Sequence, residues 1–194
     1  MYTLKEYKNL KKKYGAYSSW AIYNPSNESD TEIIDRTYKK LHAKYVFLGL
    51  NISKLLKKSS WSNFRGGKHD RKLKYACEKN KLSGSYLTDI FKDLPESNSS
   101  KVRKYIQKHS EEIKKNVSHF KKEMRDIKIN KNTAFIVLGS DSSFLLKCFN
   151  DYLKNEYKNN KVFNYYHYSY YKLTDKKWVE GLWKKLGIKR KFSK

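Results

Sequence analysis

Apolar positions along the chain follow two patterns, recurrence every three or four residues and short unbroken runs. Leu4, Tyr7, Leu10 and Tyr14 recur at helical spacing with Gly15 as a stop, and Ile33, Ile34, Tyr38 and Leu41 mark a second helix behind the capping candidates Ser29 and Asp30. Residues 17–23 (YSSWAIY) read as a short extended piece between them. Residues 45–50 (YVFLGL) form an apolar run ending in small and polar residues, the pattern of a fully buried parallel strand. A loop rich in Lys, Ser and Gly passes through Gly66 and Gly67, after which residues 70–79 predict a helix and residues 85–91 (SYLTDIF) a second strand. Ser99 or Ser100 then caps one long helix. Its apolar face steps by threes and fours through Val102, Tyr105, Ile106, His109, Ile113, Val117, Phe120, Met124 and Ile127. Residues 133–138 are the third strand, and the turn at residues 139–143 leads into a helix carrying Phe144, Leu145, Phe149, Tyr152 and Leu153. Residues 162–167 are the fourth strand. A last helix, capped by Thr174 and closed by Gly187, turns Trp178, Val179, Leu182, Trp183 and Leu186 inward.

Strands separated by helical stretches predict an α/β chain, a three-layer α/β/α arrangement around a central four-stranded parallel sheet. The reading gives a single domain over residues 1–194, with a helical extension at 1–40, a core at 41–187 and a basic tail at 188–194. In such folds ligands bind beyond the carboxyl ends of the strands, so the loops after residues 50, 91, 139 and 166 are where chemistry is expected.

Composition narrows the function. The 194 residues hold 44 Lys and Arg against 19 Asp and Glu, a formal charge of +25, yet 15% are aromatic, which separates the chain from charged disordered sequences that cannot bury a core. The apolar runs are far shorter than the roughly 20 residues of a membrane helix. The N-terminus has no apolar leader and the two cysteines, Cys77 and Cys148, stand far apart, which predicts a cytoplasmic chain. Those cysteines and the five histidines have no metal-ligand spacing, and Gly66-Gly67 and residues 139–143 lack the Lys-Ser/Thr of a phosphate loop, so no metal or cofactor is expected. So large a positive charge predicts a polyanion as partner. The excess is clustered: residues 54–81 hold ten basic and two acidic side chains, and residues 184–194 hold six basic and none acidic.

The predicted strand ends carry a family resemblance. Gly49-Leu50-Asn51-Ile52-Ser53 resembles the first motif of the uracil-DNA glycosylase superfamily, Gly-x-Asn/Asp-Pro, and His167-Tyr168-Ser169 resembles its second, His-Pro-Ser. Between them, residues 82–92 are similar to the family's base-reading strand and Val137-Leu-Gly-Ser140 to the strand and loop before the second motif. Residues 14–23 are similar to N-terminal segments of uncharacterised members. The likeness covers residues 41–187 in the right order, and Asn in the first motif is the form found in mismatch-specific and single-strand-selective members.

The resemblance implies a monomeric DNA glycosylase that needs no cofactor. It flips a nucleotide out of DNA and cleaves the N-glycosidic bond through an oxocarbenium-like transition state. Asn51, which read alone is a turn residue ending a strand, would position the attacking water, and His167 would donate to an oxygen of the departing base. Ser53, Ser140 and Ser169 would grip phosphates, Tyr170 and Tyr171 would wedge into the vacated stack, and Phe64, or alternatively Trp61, would stack on the flipped base. Ile52 and Tyr168 stand where the family has proline, so two loops lose a fixed φ. Asp89 stands near the position where many members use Asn to read uracil. An ionised carboxylate has no donor for uracil O4 and suits an exocyclic amine, which points to a modified cytosine in repair or phage defence. A catalytically inactive DNA-binding chain on the same scaffold is the competing expectation.

Overall fold

A computed structural model describes residues 1–53, 60–78, 80–189 and 192. The elements run α1 (Leu4–Tyr14), β1 (Ser19–Trp20), α2 (Glu32–Arg36), a 3₁₀ turn (Tyr38–Lys40), β2 (Tyr45–Asn51), α3 (Arg71–Cys77) and β3 (Tyr86–Phe91), then α4 (Ser99–Lys108), α5 (Ser110–Asp126), β4 (Ala134–Leu138), α6 (Phe144–Tyr152), β5 (Lys161–Tyr165) and α7 (Asp175–Lys185). The sheet has five strands in the order β1-β3-β2-β4-β5. The four parallel strands are the expected ones. The fifth, β1, pairs antiparallel with β3 through Ser19–Leu87 and Trp20–Tyr86, so the N-terminal region is more than a helical extension, since it closes one edge of the sheet.

Helices cover both faces. The in-register partners Val46, Tyr86, Leu48, Thr88, Phe135 and Val137 share one face, against which α5 packs through Glu123 and α6 through Phe149. Phe47, Gly49, Asn51, Leu87, Asp89, Leu138 and Tyr165 share the other, where the Trp178 ring of α7 meets Tyr165 at 5.5 Å and Trp183 of α7 donates to the Ala76 carbonyl of α3. The runs of β2, β3 and β4 are buried on both sides, which is why they carry no alternation, whereas β5 at the sheet edge is exposed or half-buried along its length.

Local signals decide several boundaries differently from the apolar pattern. The long helix breaks at His109, whose φ of −122° and ψ of 64° leave the helical region, and the apolar stripe resumes in phase on the second segment. Its cap is Asn98, whose side chain accepts from the N–H groups of Ser100 and Lys101, rather than Ser99 or Ser100. Asp30 accepts from the N–H of Glu32 ahead of α2, and α3 is shorter than the pattern suggested. Thr174, Gly15 and Gly187 act as expected, Gly187 at φ 64°.

Candidate functional site

Four parallel strands end on the same side, and on the Asp89 face a cavity of about 450 Å³ opens there. Its walls come from the end of β2 (Leu50, Asn51, Ser53), from Asp89 in β3 with Glu96 and Ser97 beyond it, from Leu138 and Leu145 around the turn after β4, and from His167, Tyr168 and Ser169 after β5. Asn63 and Phe64 close it from the segment between β2 and α3. Chain topology thus brings Asn51, Ser53, Phe64, Asp89, His167 and Ser169 together from four separate stretches of sequence.

Asn51 is oriented by its own amide. Nδ2 donates to the carbonyls of Ile52 (2.9 Å), Leu94 (2.8 Å) and Glu96 (2.8 Å), which spends the N–H groups on backbone and, among the described residues, leaves Oδ1 as the polar atom without a donor. The Ile52 carbonyl also accepts from the N–H of Glu96, so the loops after β2 and β3 are tied together.

His167 is fixed in one tautomer. Its Nδ1 accepts from the backbone N–H of Ser169 (3.2 Å) and pairs with the Ser169 hydroxyl (2.7 Å), so the proton of the neutral ring sits on Nε2. Burial pushes the imidazole pKa down to about 4, helped by the charges of His69 and Lys72. The ring is therefore a neutral Nε2–H donor across the physiological range. Tyr168 packs on it at 4.1 Å between ring centres and meets Phe64 edge-on at 6.2 Å. From α3, the buried Lys72 ammonium donates to the carbonyls of Tyr170 (3.1 Å) and Leu173 (2.9 Å) and pins the same loop from behind.

Asp89 is only 4% exposed. Its carboxylate accepts from Asn63 Nδ2 (3.0 Å), and among the described residues no cation is ion-paired to it. Burial is the main reason its pKa is pushed up to about 6, against the lowering effects of the Asn63 bond and the Lys92 charge. A Cβ at Gly49 would run into Asp89 Oδ1, so glycine is required there for the carboxylate to lie across β2. Asn63, which no motif or spacing singles out, organises this corner. Its Nδ2 also donates to the Tyr17 carbonyl (2.6 Å), while its Oδ1 accepts from the N–H of Phe64, whose φ of 61° is left-handed.

Two expected site residues fall elsewhere. Trp61 is 0% exposed, packs against Trp20, Tyr7 and Tyr86, and donates from Nε1 to the Tyr7 hydroxyl, so it is core and Phe64 is the aromatic at the cavity. Ser140 lies in the turn after β4, where its carbonyl accepts from Ser143 N–H, and is not part of the cavity lining. The Ser169 hydroxyl is engaged with His167. Tyr170 is stacked on Tyr166 at 4.7 Å, while Tyr171 is 80% exposed beside it. The basic run at Lys54, Lys57 and Lys58, like Lys79, Arg190, Lys191 and Lys194, lies outside the described residues. Among the described residues no group of three or more His, Cys, Asp or Glu is placed to hold a metal, and no helix is long and apolar enough to cross a membrane.

Comparison with family models, curated proteins and solved structures gives no match, so the chemistry of the residues alone carries the functional reading.

Proposed function

We propose that the chain is a monofunctional DNA glycosylase that takes a modified or damaged pyrimidine out of the stack and hydrolyses its N-glycosidic bond. One observation carries the reading: an acceptor, Asn51 Oδ1, and a neutral donor, His167 Nε2–H, line one cavity, each fixed by backbone bonds to its other polar atom. That is the pairing this reaction needs. Asn51 Oδ1 holds a water through one of its hydrogens, and the water oxygen bonds C1′ as the C1′–N bond breaks. The bonding pair leaves with the base, His167 Nε2–H stabilises the charge on the base oxygen, and the proton lost by the water ends on the base nitrogen. Because an amide is no base, rate must come from leaving-group stabilisation. Phe64 offers its ring as the stacking surface, and the net charge of +25 suits a DNA backbone.

Within this reading Asp89 sets the base. Ionised, it accepts from the exocyclic amine of a cytosine-type base and repels a carbonyl at the same position. The test is base release from duplex and single-stranded oligonucleotides holding uracil, mismatched thymine, cytosine or modified cytosines. Asn51→Ala and His167→Ala are each expected to slow release by about 10²–10³ with DNA affinity retained. Affinity without release by the unsubstituted protein on every base would favour the non-catalytic reading, which rests on Ile52 and Tyr168 standing at the proline positions.

A further inference from the structure

A second cavity, about 340 Å³, adjoins the first and shares Ser53, Asn63, Phe64 and Tyr168 with it. Its remaining walls are Ser62, Arg65, Gly66, Gly67 and Asp70. Two features fix what it can hold. The Arg65 guanidinium is spent: it donates to the carbonyls of Trp20, Ile22, Glu28 and Asp30 and to the Ser19 hydroxyl, and it lies over the Tyr23 ring, so it is not free to bind an anion. Asp70, by contrast, is 9% exposed and half used. Its Oδ2 accepts from the Gly67 N–H at 2.9 Å, and among the described residues Oδ1 has neither a hydrogen-bond donor nor an ion pair.

A carboxylate oxygen of a largely buried side chain, open to the cavity and with no ion-paired cation among the described residues, beside a guanidinium that is already occupied, disfavours phosphate and favours groups that donate hydrogen bonds. Resting on the glycosylase reading of the main cavity, we infer that this annex receives a hydrogen-bond-donating substituent, a hydroxyl or an ammonium, carried by the flipped base past Phe64 and Tyr168. The two cavities then form one site, Asp89 meeting the amine of the ring and Asp70 the donor of its substituent, with the Ser62 hydroxyl beside it. The residues shared by the two cavities, Phe64 and Tyr168 among them, are the ones such a substituent would pass, and room beyond them gives a reason for an enzyme of this kind to accept a base with a large substituent.

The experiment measures both affinity and base release on matched oligonucleotides whose single target is cytosine, 5-methylcytosine, 5-hydroxymethylcytosine, a 5-glycosylated hydroxymethylcytosine or a 5-aminomethyl derivative. The unsubstituted protein should prefer donor-bearing substituents over 5-methylcytosine by about tenfold or more, the hydroxyl and ammonium arms deciding which donor is used. Asp70→Asn keeps an acceptor for Gly67 N–H but turns an N–H₂ toward the annex, and it should reduce that preference about tenfold. Ser62→Phe, which fills the annex, should abolish it for the largest substituent first. Equal affinity for methyl and donor-bearing bases, or a preference unchanged in Asp70→Asn, overturns the inference even where release is robust. Release from none of the bases, with the affinity preference intact, overturns the glycosylase reading and leaves the annex standing.

Discussion

Thr88 and Asp89 are neighbours on β3 and point to opposite faces, and the two buried carboxylates they meet or carry are treated in opposite ways. Behind the sheet, Glu123 is 0% exposed and well provided for: Ser18 (2.9 Å), Tyr86 (2.7 Å) and Thr88 (2.9 Å) donate hydroxyls to Oε1, and Oε2, which has no hydrogen-bond donor among the described residues, is ion-paired to the Lys92 ammonium at 2.5 Å. In front, Asp89 has one amide donor. Lys92 gives its remaining attention to the Asp89 main-chain carbonyl (2.5 Å), not to the carboxylate. Burial is alike and provision is not. A carboxylate with three hydroxyl donors and a paired ammonium is architecture, joining β3, α5 and the residue ahead of β1, whereas one left short of donors beside a cavity is an energetic cost the fold carries at a place where a ligand can offset it.

The largest effect should come from dismantling the served carboxylate. Glu123→Ala leaves the Lys92 ammonium and three hydroxyls buried without their acceptor, and a loss of about 3–5 kcal/mol is expected in denaturant unfolding. An effect below about 1 kcal/mol would mean that the network is not structural. Asp89→Asn should act the other way. A carboxyl whose pKa is higher folded than unfolded binds more protons in the native state, so its cost is absent below pH 4 and grows as pH rises to about 6. The amide, which still accepts from Asn63, should therefore gain stability on the order of 3 kcal/mol at pH 8 and nothing at pH 4, read from paired denaturation curves. The smallest effect belongs to Asn63→Ala. Removing the one donor to Asp89 raises its pKa further, so the acid limb of the pH profile for an amine-bearing base should move up by about one pH unit. A limb that stays in place would detach Asn63 from the site.

Much of this was legible in the chain and some was not, for identifiable reasons. β2, β3 and β4 are apolar runs because both faces are covered, the strand ends pointed to the side where the cavity lies, and the family resemblance singled out Asn51, Asp89 and His167, all of which line that cavity. β1 was faint because two residues of pairing leave little periodicity. The break at His109 was hidden by a stripe that stays in phase on both sides of it. Trp61 and Phe64 both sit in left-handed conformations three residues apart, and nothing in local sequence tells which ring turns to the core. Asn63 had no signal at all, since its role depends on a carbonyl 46 positions away. Glu123 did have one: it falls on the apolar stripe of α5 between Phe120 and Met124, where a solvated charge does not belong.

If the underserved Asp89 reads the base, as proposed, selectivity must change with pH. Base release should be measured at pH 5 and pH 8 on duplexes differing only in a uracil-type or a cytosine-type target. His167 stays neutral at both values, because its pKa lies near 4, while Asp89 passes from mostly protonated to ionised. The ratio of cytosine-type to uracil-type release should rise by about tenfold or more between the two. A ratio that does not change with pH, or release from neither duplex at either value, would contradict the account.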